Sequence, residues 1–140
     1  MQNLSTLCLL SRRSASKKTY FIHRVCFDRV IVDNFFKFMR VISKRTLREF
    51  WEKHPNAEPN LLQWYQRTSE AAWKNLAEVR QVFLSADIVG NLTIFNISGN
   101  NYRLITFIDY EYQLIFIRCV LTHAEYNKEN WKNDSWFKNS

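Results

Sequence analysis

Three stretches in the last third of the chain, residues 88–97, 101–110 and 114–122, are dense in Ile, Phe, Tyr, Val and Thr. Residues of these types fit a pleated, half-buried surface, so each stretch reads as a strand. Ser98, Gly99 and Asn100 lie between the first two. Gly and Asn tolerate positive φ, which marks a hairpin turn there. Glu111 and Tyr112 make a second tight turn before the last stretch. Strands joined so closely can only run antiparallel, as a meander. One face of such a sheet has to be covered by other elements.

The chain between residues 39 and 83 supplies that cover. Residues 39–43 read as a short strand, after which Ser43 or its neighbours can cap a helix starting near Lys44. Leu47, Phe50 and Trp51 then fall on one helical face, and Pro55 ends the helix. A second helix is expected from about Glu58 to Ala72, with Leu61, Leu62, Trp64 and Tyr65 as its apolar side. A third, over 73–83, carries Trp73, Leu76, Val79 and Phe83. Residues 123–131 look like a short terminal helix. The fold class is therefore α+β: an N-terminal strand, two to three helices, a three-stranded antiparallel meander and a short C-terminal helix.

Composition narrows the function. A chain of 140 residues is enough for one domain. Two glycines leave no Gly-rich phosphate loop, and three cysteines (Cys8, Cys26, Cys119) without CxxC spacing argue against a disulfide framework or a structural zinc site. No apolar run reaches the ~20 residues of a membrane span, so no membrane partner is expected; the expected location is the cytoplasm. The net charge is +7, which suggests an anionic partner. The surplus is uneven, because residues 1–38 hold seven Lys and Arg against two acids, Asp28 and Asp33. Residues 1–19 are rich in Ser, Arg and Lys and without acid, as organellar transit peptides are, and residues 20–38 are apolar but show no sustained helical or strand period. Met39 stands immediately before the first clean strand. Residues 1–38 are thus expected to be an extension, disordered or upstream of the native start, 39–131 the folded domain and 132–140 a tail.

Strand register gives the first sign of chemistry. With a two-residue turn in the second hairpin, Arg103 lies opposite Val120 and Ile105 opposite Arg118. Tyr102, Leu104, Thr106, Ile108, Ile115, Ile117, Cys119 and Leu121 then form an apolar face for the helices. The other face holds Arg103 and Arg118 on a floor of Ile105, Phe107, Leu114, Phe116 and Val120, with Asp109 beside them. A turn through Gly99 and Asn100 brings Asn96 opposite Arg103. Taken alone, the two arginines read as surface side chains pairing with Asp109. His123 and Tyr126, three apart at the start of the terminal helix, change that balance. Imidazole, phenol and two guanidiniums make a metal-independent acid/base set for cutting a phosphodiester, with arginines on the phosphate.

The run 95–105 (Phe-Asn-Ile-Ser-Gly-Asn-Asn-Tyr-Arg-Leu-Ile), with Ile117-Arg118 and Thr122-His123-Ala124-Glu125-Tyr126, resembles the HigB family of type II toxin–antitoxin toxins. Trp73-Lys74-Asn75, Val79-Arg80, Phe83 and Ser85-Ala86-Asp87 are similar to it too, so the resemblance runs from about Met39 to Trp131. Ser98 stands where the family pattern often has a second glycine. The resemblance implies a RelE-like fold and an endoribonuclease that cuts mRNA, typically on the ribosome, without a metal or organic cofactor. It implies a helix-turn-helix antitoxin of the HigA type. The positions carried over are Asn96, Arg103, Arg118, His123 and Tyr126, and Lys74 and Lys128 are candidates for RNA phosphate contacts. A second reading keeps the fold as a catalytically inactive RNA- or antitoxin-binding module.

Overall fold

The computed structural model describes residues 38–138. All but the last residue of the expected extension over 1–38 lies outside the described residues. Among the described residues, one five-stranded sheet runs in the order β1-β5-β4-β3-β2. β1 (Arg40–Ile42) pairs parallel with β5 (Leu114–Thr122), and β2 (Asp87–Val89), β3 (Leu92–Ile97), β4 (Tyr102–Asp109) and β5 follow one another antiparallel. Among the described residues three α-helices precede the meander: α1 (Lys44–Lys53), α2 (Glu58–Ser69) and α3 (Leu76–Val82). α4 (His123–Asn127) follows directly on β5.

The helices lie where their apolar stripes demand. Leu47, Leu61, Trp64 and Val79 are buried against Phe95, Leu104 and Ile117 of the sheet. Asn75 caps α3 by accepting from the Glu78 amide at 3.0 Å, while the Glu78 carboxylate accepts from the Lys74 amide at 2.9 Å. Ser43 does not cap α1 with its side chain. It sits at the N-cap position in the left-handed region, φ 74°, and only starts the turn.

The stretch 88–97 is not one strand. Val89 pairs with Leu92 across Gly90 and Asn91, so it folds into a hairpin and the meander has four strands. Gly90, at φ 62°, occupies the first turn position, where two-residue hairpins use glycine.

The β4–β5 register holds near the turn and changes beyond it. Asp109 pairs with Leu114 and Thr106 with Ile117, as the tight turn requires, but Ile105 pairs with Cys119 and Arg103 with Leu121. Arg118 is the extra residue of a β-bulge. The bulge exchanges the faces of the β5 residues beyond it. Val120, expected beside the arginines, is buried in the helix-side core, and Cys119 and Leu121, expected there, pack on the opposite face.

That opposite face is not bare. Leu92, Ile94 and Ile105 form a second apolar cluster with Trp131, and Phe137 packs against it. The chain after α4 turns at Glu129, φ 57°, into a 3-10 turn at Asn130–Asn133 and crosses the sheet. The helix expected over 123–131 is thus split. Residues 132–138, expected in a tail, are anchored by Asn91, whose side-chain amide donates to the Trp136 carbonyl at 2.7 Å and accepts from the Lys138 amide at 2.8 Å. None of the described helices is long and apolar enough to cross a membrane.

Candidate active site

Thr122 ends β5 and opens α4. Its hydroxyl oxygen accepts from the Glu125 amide at 3.3 Å, and its own amide donates to the Glu125 carboxylate at 2.9 Å. This reciprocal capping box fixes where the helix starts. His123 becomes its first residue and Tyr126 its fourth, on the same side. The His123 amide donates to the Asn101 carbonyl at 3.0 Å, which ties α4 to the β3–β4 turn. The amide and hydroxyl of Thr122 hold the Glu125 carboxyl below the usual carboxylate range.

Arg103 stands on β4, paired with Asn96 of β3 as the turn signal implies. Its side chain is nearly buried, 8% exposed. The guanidinium donates to the Asn100 side-chain oxygen at 2.8 Å and to the Asn100 carbonyl at 3.2 Å. Its Nη2 also lies 3.3 Å from Nδ1 of His123. Arginine has no acceptor, so this contact requires the Nδ1 lone pair and leaves the neutral imidazole's proton on Nε2. The guanidinium carbon is 5.5 Å from the centre of the Tyr126 ring.

Tyr126 stacks on Trp131 with ring centres 5.2 Å apart and planes at 9°. The Trp131 indole donates to the Tyr126 carbonyl at 3.2 Å. Burial pushes the Tyr126 phenol above its usual value, and the positive charge of Arg103 offsets this only in part. The phenol therefore keeps its proton at neutral pH.

The structure brings Asn96, Arg103, His123 and Tyr126 to one end of the sheet. Arg118 is on the same face but engaged elsewhere. Its Nε donates to Asp134 at 3.2 Å and its Nη2 to both oxygens of that carboxylate, at 2.9 and 3.1 Å, and the guanidinium lies 4.4 Å above the Trp136 ring. Its carboxylate partner is Asp134, because Asp109 is occupied by the turn amides of Glu111 and Tyr112. Lys74 is at the other end of the strands, where the adjacent Trp73 carbonyl accepts from Gln113 of the β4–β5 turn. Lys128 closes α4, exposed and two residues from Tyr126.

Two neighbours escaped the sequence reading. Asn100 sits in the turn three residues before Arg103, and only its turn chemistry marked it. His54, after α1, places its ring 5.8 Å from that of Tyr102. No local pattern connects residue 54 with that strand. Among the described residues, no group of three His, Cys, Asp or Glu is placed to hold a metal ion. Cys119 is half-buried, and burial and the charge of Asp134 push its thiol up to about 11.

Comparison with known proteins points to one family. A family model described as the HigB toxin, the RelE-like toxic component of a toxin–antitoxin system, matches residues 57–129, just over half of the chain. The mRNA interferase toxin HigB of Escherichia coli K12 is 29% identical over 92 residues, covering 64% of this chain and 88% of that protein. The mRNA interferase HigB of Shigella flexneri shows the same identity and coverage. That of Escherichia coli O6:H1 is 29% identical over 93 residues, 64% of this chain and 90% of its own length.

Proposed function

This chain belongs to the HigB family of RelE-like toxins, and on that premise we propose that it is an endoribonuclease that cuts mRNA without a metal ion. The relatives' names give the substrate class. The observation that carries the reading here is the cluster of Arg103, His123 and Tyr126 at one end of the sheet.

Each member has a part in one reaction. Arg103 meets the scissile phosphate, drawing its guanidinium away from His123. The freed Nδ1 accepts the proton of the ribose 2′-hydroxyl, and the 2′-oxygen forms a bond to phosphorus. Tyr126, whose raised pKa keeps it protonated, donates to the 5′-oxygen as the P–O5′ bond breaks. The products are a 2′,3′-cyclic phosphate and a 5′-hydroxyl. Acid–base help of this kind contributes ~10²–10⁴-fold, and a guanidinium on the developing charge adds a similar factor. The remainder comes from holding the RNA in line. Asn96 and Lys128 lie where they can touch the flanking backbone. Arg118, tied to Asp134, acts in this reading as a clamp on the C-terminal segment.

The same reading makes the protein cytoplasmic, acting on translating ribosomes and neutralised by a helix-turn-helix antitoxin of the HigA type. The test of the chemistry is cleavage of a free transcript, without ribosomes, by the full chain in excess EDTA, with the new 5′ ends assayed for direct labelling by a polynucleotide kinase. Cutting that survives and leaves labelable 5′-hydroxyls supports it. Cutting abolished by EDTA, or 5′-phosphate ends, overturns it.

A further inference from the structure

The β3–β4 turn has two sides. On one, Asn100 holds Arg103. On the other, Gly99 borders a cavity of about 210 Å³ between α2 and the end of β3. Asn60, Gln63 and Arg67, spaced to share one stripe of α2, line it together with Trp64 and Asn96. Trp64 is only 1% exposed, and its indole N–H has no partner among the described residues. Folded chains seldom leave such a donor unpaired. β2 stops at the level of Ile94, so among the described residues no strand lies outside Phe95–Ile97 to close the cavity from that edge.

We propose that this cavity takes the base of a nucleotide adjoining the scissile phosphate, and that Asn60 and Gln63 read its edge. The volume is below the ~300–1,000 Å³ of drug-sized sites, so one heterocycle is the natural occupant. Asparagine and glutamine each offer a donor beside an acceptor, as base edges do. Asn96 joins the two sites, since it borders the cavity and pairs across the strands with Arg103. An RNA strand with its phosphate at Arg103 thus meets a set of amides one turn away. The proposal rests on the ribonuclease reading above.

The test maps cut positions on one transcript for the full chain and for Asn60→Ala, Gln63→Ala and Gln63→Glu. The readout is the ratio of cutting at favoured and disfavoured bases. Gln63 is exposed, so its replacement does not threaten the core. The alanine variants should lower that ratio about ten-fold, the loss of one good base contact. Gln63→Glu, which exchanges a donor for an acceptor, should shift the preferred base. A merely structural glutamine moves neither quantity. Cutting with an unaltered preference in all three overturns the proposal alone, also where the variants change only neutralisation by the antitoxin. No cutting by the unsubstituted chain overturns the ribonuclease reading and this proposal together.

Discussion

At the scale of single residues, the guanidinium of Arg103 organises the site because it can only donate. It serves both oxygens of Asn100 and the Nδ1 of His123 at once. A lysine cannot reproduce that fork. Arg103→Lys should therefore lose about 10²–10³-fold in cutting rate, measured on a synthetic transcript. Tyr126→Phe keeps the ring on Trp131 and removes only the proton. Its cutting should fall ~10²–10⁴-fold while the melting temperature stays within a degree or two of the parent's, about the scatter of a neutral surface change. Because the phenol's pKa is raised above 10, the acid form survives through the alkaline range. The midpoint of any loss of activity from Tyr126 deprotonation should therefore lie above pH 10, as a rate–pH profile will show. Cys119, pushed up to about 11, should react with a thiol reagent at pH 8 far more slowly than a free cysteine.

At the scale of elements, the capping box sets His123 and Tyr126 in place. Thr122→Ala should cost about 0.5–2 kcal/mol of stability, read from denaturant unfolding, and should reduce cutting by loosening α4. The Glu125 carboxyl titrates below its usual value, so the stability it lends is present above the unfolded value and lost as pH falls through the folded one. Gly90→Ala places a side chain at φ 62° and against the Lys138 carbonyl. The left-handed backbone alone costs about 1–2 kcal/mol. The elements also show what a sequence can reveal. The α1 and α3 stripes, the α2 stripe apart from Leu62, which is exposed, and the pairing of Asn96 with Arg103 were legible, because helical spacing and a Gly-Asn turn report local geometry. The hairpin at Gly90 was hidden inside a continuous apolar run. The bulge at Arg118 was hidden because an alternating pattern carries no mark of one extra residue.

At the scale of the whole molecule, the sheet carries two cores. The second depends on residues 130–138, and Arg118 joins it through Asp134 and Trp136. This part of the site was not legible, since Asp134 lies sixteen positions from Arg118 and beyond any strand period. Hydrogen bonds to charged groups contribute ~1.5–3 kcal/mol when well shielded, and the pair here is a quarter exposed. Asp134→Asn should accordingly lower stability by about 1 kcal/mol, with the cutting rate per folded molecule little changed. A large loss of rate without loss of stability would return Arg118 to the phosphate.

The function proposed for this chain stands on Arg103, His123 and Tyr126 forming one ribonuclease centre. The decisive experiment is induced expression of the full chain in a bacterium, beside Arg103→Ala and His123→Ala, with primer extension on a chosen transcript and circular dichroism on each purified protein. Growth arrest and new transcript ends are expected with the unsubstituted chain, and neither with the two variants, although both remain folded. New ends of equal intensity from both folded variants would show that the centre lies elsewhere.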